Sequence, residues 1–303
     1  MEQKTGSLPY HQVMQVLPLE LRRRAMVLSE QQQGQAEELR LRTGWPMTVV
    51  LPEGEYSLGG PEVEVRDLEQ VLEIASRASV HTVLDQVCRG YLTIEGGHRI
   101  GLCGTAVMRE GQIHTIRTLS SASIRIARQV VGVSQTILPS LCPNGVLEDT
   151  LILSPPGMGK TTLLRDLVRG VSEGEGCQPR RISLADERGE VAALYRGVPQ
   201  LGVGRRTDVV EGCPKAQGLM LLLRAMNPQV LAIDEITAPE DVKALTTASG
   251  CGVTLLATAH GSGRGDLERR PLYRTMLQEG LFRYLVQIRR AGSERHYTVE
   301  ELK

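Results

Sequence analysis

The chain has 303 residues, 41% hydrophobic and 23% charged, enough for two globular domains that each bury a sizeable core. Lys plus Arg and Asp plus Glu both number 35, so there is no overall basic footprint of a nucleic-acid or anionic-membrane binder, and only a local patch could serve such a partner. Aromatic residues at 3% argue against an extended base-stacking surface.

In chain order, the opening MEQKTGSLPYHQ lacks the apolar core of a signal peptide. No apolar run reaches membrane-spanning length, so a cytoplasmic protein with no transmembrane segment is expected. Residues 18–33 follow a loose helical stripe through Leu21, Ala25 and Leu28, with Arg22–Arg24 read as a solvated helix face. Two short strands follow, around Leu39–Leu41 and over MTVV, separated by a turn at Thr43–Pro46. Asp67 can cap a helix starting at Leu68, and Val80–Cys88 makes a second helical stretch. Gly96–Gly97 and Glu110–Gly111 then punctuate an antiparallel meander, and SIRIARQV adds one more strand. His81, His98 and His114 lack metal-ligand spacing and read as surface or partly buried residues. The cysteines, Cys88, Cys103, Cys142, Cys177, Cys213 and Cys251, include no zinc-type pair and read as free thiols of a reducing compartment.

Proline and glycine gather at 138–145, where the pattern changes. This suggests an α+β domain over 1–145 and a second domain over 146–303. In the latter, apolar strands at Thr150–Leu153, Arg181–Ala185, Val230–Ile233 and Val253–Thr258 alternate with helices, as in a mostly parallel, doubly covered sheet.

The first of those strands runs into SPPGMGKTT, a loop built to hold phosphate. Gly157 and Gly159 allow successive amides to converge on one anion, Lys160 reaches terminal phosphates, and Thr161 can ligate Mg²⁺. Ser154, Pro155, Pro156, Met158 and Thr162 complete the candidate nucleotide contacts. Ser154 stands where an opening glycine is usual, at the strand exit, and the two prolines each remove an amide donor. Downstream, VLAIDEI ends a buried strand with Asp234, suited to the Mg²⁺ shell, and Glu235, suited to orient or deprotonate water. ISLADERGE offers a second carboxylate group, Asp186 and Glu187, able to share either task or simply to cap a helix N-terminus. Its strand, between the loop and the DE strand, marks the additional-strand class of ATPases. His260, at the end of TLLATAHG, can sense a γ-phosphate. Arg205 and Arg206 can reach a neighbouring subunit's phosphate in a ring, or pair with acids of their own fold.

Together, SPPGMGKTTLLRD, DERGEVAALYRGVPQLGVGRRTDVV, GCPKAQGLMLLLRAMNPQVLAIDEI, EELRLRTGWP and GYLTIEGGHRIGLCG resemble the type II/type IV secretion ATPase superfamily, and most of all its stage III sporulation AA branch. The resemblance spans nearly the whole chain. It implies a RecA-like P-loop ATPase domain of the additional-strand class behind a smaller α+β N-terminal domain that caps the nucleotide and takes part in oligomerisation. By the same resemblance DERGE matches the acidic box, Arg224, Pro228 and Glu235 the block of the second nucleotide motif, and His260 the histidine box. Asp186 stands where a glutamate is usual and Asp234 where many members have glycine, so Glu235, Glu187 and Asp186 all remain candidates for the catalytic carboxylate. The resemblance further implies ATP and Mg²⁺ as cofactors and a homo-oligomeric ring, usually a hexamer. It places the protein at the cytoplasmic face of the mother-cell membrane around the forespore, where it powers or gates a channel, with stage III sporulation protein AB as membrane partner. The competing readings are an ATP-dependent single-stranded nucleic-acid binder, favoured by Arg22–Arg24, Arg125, Arg128, Arg205 and Arg206, and an ATP-binding scaffold with little turnover.

Overall fold

The computed structural model describes residues 8–76, 87–88, 90–292 and 294–302; His81 and most of the helix expected over Val80–Cys88 lie outside them. The chain divides into two compact units, Met1–Arg128 with Tyr195–Gln200, and Gln129–Leu194 with Leu201–Lys303. The division comes ahead of the Pro/Gly-rich segment at which the sequence pattern places it. That segment is not a free linker: Ile137, Leu138, Leu141 and Cys142 are buried in the core of the second unit.

In the first unit, helices α1 (Leu8–Met14), α2 (Leu19–Ala25), α3 (Glu30–Gln35) and α4 (Val65–Ser76) accompany strands β1 (Glu38–Arg42), β2 (Thr48–Leu51), β3 (Gly54–Ser57), β4 (Tyr91–Thr93), β5 (Arg99–Arg109) and β6 (Gln112–Arg125). The strands form one sheet in the order β3-β2-β1-β6-β5-β4, with neighbours antiparallel. Leu39 and Leu41 of β1, Ile100 and Leu102 of β5 and Ile124 of β6 share one buried cluster with Tyr10, Leu17, Leu68 and Val71 of the helical segments. Alternation along each strand places those residues on the face the helices cover. The single helix expected over 18–33 is two helices, because Ser29 and Gln32 form a capping box that starts α3 afresh. The helix expected from Leu68 begins at Val65, and Asp67 reaches back to accept the Glu64 amide at 2.8 Å. SIRIAR is the end of the long strand β6 rather than a separate element. Glu110 and Gly111, both at positive φ, make the tight turn that joins β5 to β6.

Four of the arginines that encourage a nucleic-acid reading, Arg22, Arg24, Arg125 and Arg128, are engaged inside this unit. Arg22 donates to the carbonyls of Met14, Gln15 and Leu17, and the buried Arg24 to those of Gly59 and Pro61, so their helix face is not simply solvated. Arg125 pairs with Glu38, and Arg128 donates to the Gln33 carbonyl. His98 is fully buried, contrary to the surface reading. Its Nδ1 accepts the Ala127 amide, leaving Nε2–H to donate to Gln12, and burial pushes its pKa down to about 4.

The second unit contains α5 (Leu138–Leu141), β7 (Thr150–Ser154), α6 (Lys160–Glu173), β8 (Ile182–Asp186), β11 (Thr207–Glu211), α7 (Lys215–Ala225), β12 (Val230–Ile233), α8 (Pro239–Gly250), β13 (Thr254–His260), α9 (Arg264–Arg269), α10 (Pro271–Gln278), β14 (Tyr284–Ala291) and β15 (Glu294–Glu301). The short pair β9 (Leu194–Tyr195) and β10 (Val198–Pro199) lies between β8 and β11 in sequence. The sheet order is β11-β8-β12-β13-β7-β14-β15, parallel except for β14–β15. Successive residues of β7 enter opposite cores: Ile152 joins Leu163, Leu164, Leu167 and Val168 of α6, while Leu151 and Leu153 join Leu219, Leu245 and Met276 from α7, α8 and α10. Each of the four α6 side chains is fully buried, a gain of roughly 1.5–3 kcal/mol apiece. The strand that separates the loop strand β7 from the DE strand β12 is β13, from later in the chain; β8 lies beyond β12. The additional-strand arrangement is therefore present, made by a different strand from the one the sequence order suggests.

Candidate functional site

The parallel sheet ends its strands at one edge, and β7, β12 and β13 bring their last residues there together. The loop Pro155–Gly159 leaves β7 and turns into α6. Gly157 and Gly159 have φ of 74° and 96°, a left-handed backbone that a side chain would strain. No side chain caps α6, and its first helical bond runs from the Leu163 amide to the Gly159 carbonyl at 3.0 Å. The amides of Lys160, Thr161 and Thr162 precede that bond, so the helix end is set to hold an anion. Ser154 closes β7 with its hydroxyl on the Pro155 carbonyl, 3.0 Å away. Met158 is half-buried against the α6 core and anchors the loop.

Lys160 Nζ donates to the carbonyls of Ser154 (2.8 Å) and Pro155 (3.1 Å) and lies 2.7 Å from His260 Nδ1. An ammonium only donates, so Nδ1 accepts, and the ring proton sits on Nε2. Nε2 in turn is 2.8 Å from Glu235 Oε1. Lys160, His260 and Glu235 thus form one hydrogen-bonded line. Burial lowers the Lys160 pKa, against the pull of Glu235 and Asp234.

Asp234 is held by two hydroxyls: Thr161 donates to Oδ2 and Thr258 to Oδ1, both at 3.1 Å. Burial raises its pKa, against those two hydrogen bonds. Glu235 has φ of 48°, rare for a non-glycine residue, and its amide donates to Thr258 Oγ1 at 2.9 Å. The left-handed turn sends Glu235 back toward β13 and His260. Thr258, which sequence reasoning passed over, organises both acids; its signal was a hydroxyl within the buried and otherwise apolar stretch Leu255–Ala259.

The acidic box is built differently. Asp186 ends β8 and accepts the backbone amides of Glu190 (2.9 Å), Val191 (3.0 Å) and Ala192 (2.8 Å), so both its oxygens are committed to the following loop. Burial nonetheless raises its pKa. Glu187 is partly exposed and 3.4 Å from Lys215, which also bonds Thr237. A small cleft is lined by Asp186, Glu187, Lys215, Asp234, Glu235 and Thr237, so the two acidic groups share a wall. Sequence reasoning missed Lys215, and also Arg165, whose buried guanidinium donates to the carbonyls of Glu190 and Val191.

Arg205 and Arg206 are not brought to this edge. Arg205 pairs with Glu173 and Arg206 donates to the Ser172 carbonyl, at the opposite end of α6, about 20 Å along the helix from Lys160.

Chemically, the arrangement offers amides and an ammonium for phosphate, adjacent hydroxyl and carboxylate oxygens for a hard divalent cation, and a carboxylate oriented by an imidazole for moving a proton. Thr161 and Asp234 suit Mg²⁺, an ion held by a few oxygens together with substrate phosphates; no cluster of three or more metal-ligating side chains occurs among the described residues.

The loop, the strand order and the site at the strand ends define a RecA-like P-loop fold of the secretion-ATPase type preceded by an N-terminal domain. Solved structures share it: the ATPase DotB of Yersinia pseudotuberculosis has a TM-score of 0.61 at 14% identity, covering 94% of this chain and 80% of that one. The pilus retraction motor PilT, solved with bound ADP, has a TM-score of 0.58 at 16% identity, covering 88% of this chain and 80% of that one. At such identities the likeness is one of fold. The family described as "Sporulation stage III, protein AA" matches residues 9–297. Stage III sporulation protein AA of Bacillus subtilis (strain 168) is 38% identical over 282 residues, 93% of this chain and 91% of that protein. The chain belongs to the sporulation stage III protein AA family.

Proposed function

We propose that the chain is an Mg²⁺-dependent ATP hydrolase working as a hexameric ring that powers or gates a channel between mother cell and forespore. The observation that carries this reading is the Lys160–His260–Glu235 line beside the Asp234–Thr161 pair at the mouth of the loop. Lys160 exchanges its carbonyl partners for the terminal phosphates, joined by the first amides of α6. Thr161 and Asp234 would hold Mg²⁺, which supplies positive charge to the polyphosphate. Glu235 takes a proton from water as the water oxygen bonds to the γ-phosphorus and the bond to the ADP oxygen breaks. The His260 Nε2–H bond keeps that carboxylate oriented. Asp186 holds the 187–192 loop in place.

The remaining roles rest on the family. The N-terminal unit caps the nucleotide and contributes to the ring, an arginine of the same or a neighbouring subunit completes the site, and stage III sporulation protein AB carries the ring at the inner face of the mother-cell membrane. No helix among the described residues is long and apolar enough to cross a membrane.

Calorimetry of Mg-ATP binding and phosphate release by the purified chain, alone and with the membrane partner, tests the hydrolase reading. Lys160→Ala should weaken Mg-ATP binding by roughly 10- to 100-fold, the worth of a charge-assisted hydrogen bond, with the fold intact. Equal affinity in variant and parent would remove the assignment, and binding without turnover under every condition would leave a scaffold. Native mass measurement with a non-hydrolysable analogue tests the ring; a monomer at all concentrations would refute it.

A further inference from the structure

The last two strands carry an arginine pair to the phosphate loop. β14 runs parallel to β7 in a register from Tyr284↔Thr150 to Gln287↔Leu153, so Ile288 lies level with Ser154 and residues from Arg289 onward continue past the strand end from which the loop leaves. β15 returns antiparallel, with Ile288 opposite Tyr297 and Arg290 opposite Arg295. Residues directly opposite share a sheet face, as do positions two apart. Ile288 and Tyr297 pack into the core that α6 covers. Arg290 and Arg295 therefore sit on that same face, one step further out, at the end where α6 begins. The side-chain position agrees: Arg295 Nε lies 3.3 Å from where a Cβ on Gly159 would be.

Like charges directly opposite destabilise a strand pair unless something offsets them. Among the described residues neither arginine has a carboxylate partner: Arg290 donates to the Gly292 carbonyl at 2.8 Å, and Arg295 makes no ion pair. Arg169, Arg264, Arg270 and Arg283 of the same unit are each paired with acids. Arg295 thus brings a guanidinium without an acidic partner beside the open amides of the loop, and its strand neighbour Arg290 adds a second positive charge on the same face.

We infer that Arg290 and Arg295 are nucleotide-phosphate ligands acting in cis, with Arg295 the nearer, so that the hairpin completes the polyphosphate site begun by the loop. This rests on the nucleotide reading above. It supplies arginines from the chain's own C-terminal hairpin, where Arg205 and Arg206 lie at the wrong end of α6.

The test uses the full chain. ADP, Mg-ATP and inorganic phosphate are titrated by calorimetry at low and moderate salt into the parent, Arg295→Gln, Arg295→Lys, Arg290→Gln and Lys160→Ala, and each protein is melted without ligand. Arg295→Gln should weaken ADP and Mg-ATP binding by roughly 10- to 100-fold and flatten the salt dependence. Arg295→Lys should recover part of the loss, and Arg290→Gln should show a smaller one. The ligand-free melting temperature should stay equal or rise, because one of two facing like charges is gone. Parental affinity in Arg295→Gln while Lys160→Ala is impaired would overturn this inference alone. Lost affinity with a lowered melting temperature and no recovery by lysine would make the arginine structural and overturn it too. Loss of inorganic phosphate binding with nucleotide affinity intact would mark a plain anion site, again against it. A parent that binds neither nucleotide would sink the reading of the loop and this inference together.

Discussion

Two strand ends of the parallel sheet carry the same dipeptide, Asp186–Glu187 at the end of β8 and Asp234–Glu235 just after β12, and the structure uses them in opposite ways. Asp186 is bonded by three backbone amides, donors that cannot turn away. Asp234 is bonded by two threonine hydroxyls, which can rotate and yield to a cation. Glu187 faces a lysine near solvent, whereas Glu235 is turned by a left-handed backbone onto an imidazole that also touches the loop lysine. The difference teaches that a carboxylate's partners, rather than its place in an acidic motif, decide whether it is free for chemistry.

Substitutions at the four acids sharpen that contrast. The largest effect belongs to Glu235→Gln: size and the bond to His260 are kept, basicity is lost, and steady-state phosphate release should fall by roughly 100- to 10,000-fold with Mg-ATP still bound. Next is Asp186→Asn, which turns an amide donor toward a backbone amide. It should cost about 1–3 kcal/mol in chemical denaturation, with the folded protein still hydrolysing ATP. A dead but fully stable Asp186→Asn protein would reverse the two roles.

Asp234→Asn should move stability the other way. Burial raises the Asp234 pKa, so the folded chain holds that proton more tightly than the unfolded chain. Its contribution to stability is present below the ordinary carboxylate value and is lost as pH rises through the ordinary and then the raised value. With the charge removed, the variant should melt above the parent at neutral pH, with the gap closing in acid, while Mg²⁺-dependent turnover is reduced. A variant that melts below the parent at neutral pH would contradict the hydroxyl argument. Smallest is Glu187→Gln, which breaks a partly exposed pair worth about 0–1 kcal/mol and should leave turnover unchanged.

Much of this arrangement was legible in the sequence. The loop and its helix announce themselves by glycine placement and the stripe Leu163, Leu164, Leu167, Val168, and the four apolar runs of the second domain are parallel strands. What was not legible depends on contacts between distant segments. Nothing in ISLADERGE says that the chain curls back to place three amides on Asp186. Strand order in the sheet is not strand order in the chain, so β13 rather than β8 separates the loop from the DE strand. Arg205 and Arg206 look available until β11 is seen to begin at the far end of α6. The hairpin β14–β15 went unread because its charged residues break the alternation that marks a strand. The capping box at Ser29 and Gln32, by contrast, was a local signal that could have divided residues 18–33 into two helices.

The account's central claim is that water is activated at the end of β12 and not at the end of β8. The most direct measurement is the identity of the nucleotide left on the protein after a single turnover, with Glu235→Gln and Asp186→Asn each loaded with one equivalent of Mg-ATP, quenched over time and separated chromatographically. The account predicts intact ATP on Glu235→Gln and ADP on Asp186→Asn at a near-parental rate. ADP formed at the parental rate on Glu235→Gln, with ATP persisting on a well-folded Asp186→Asn, would contradict it.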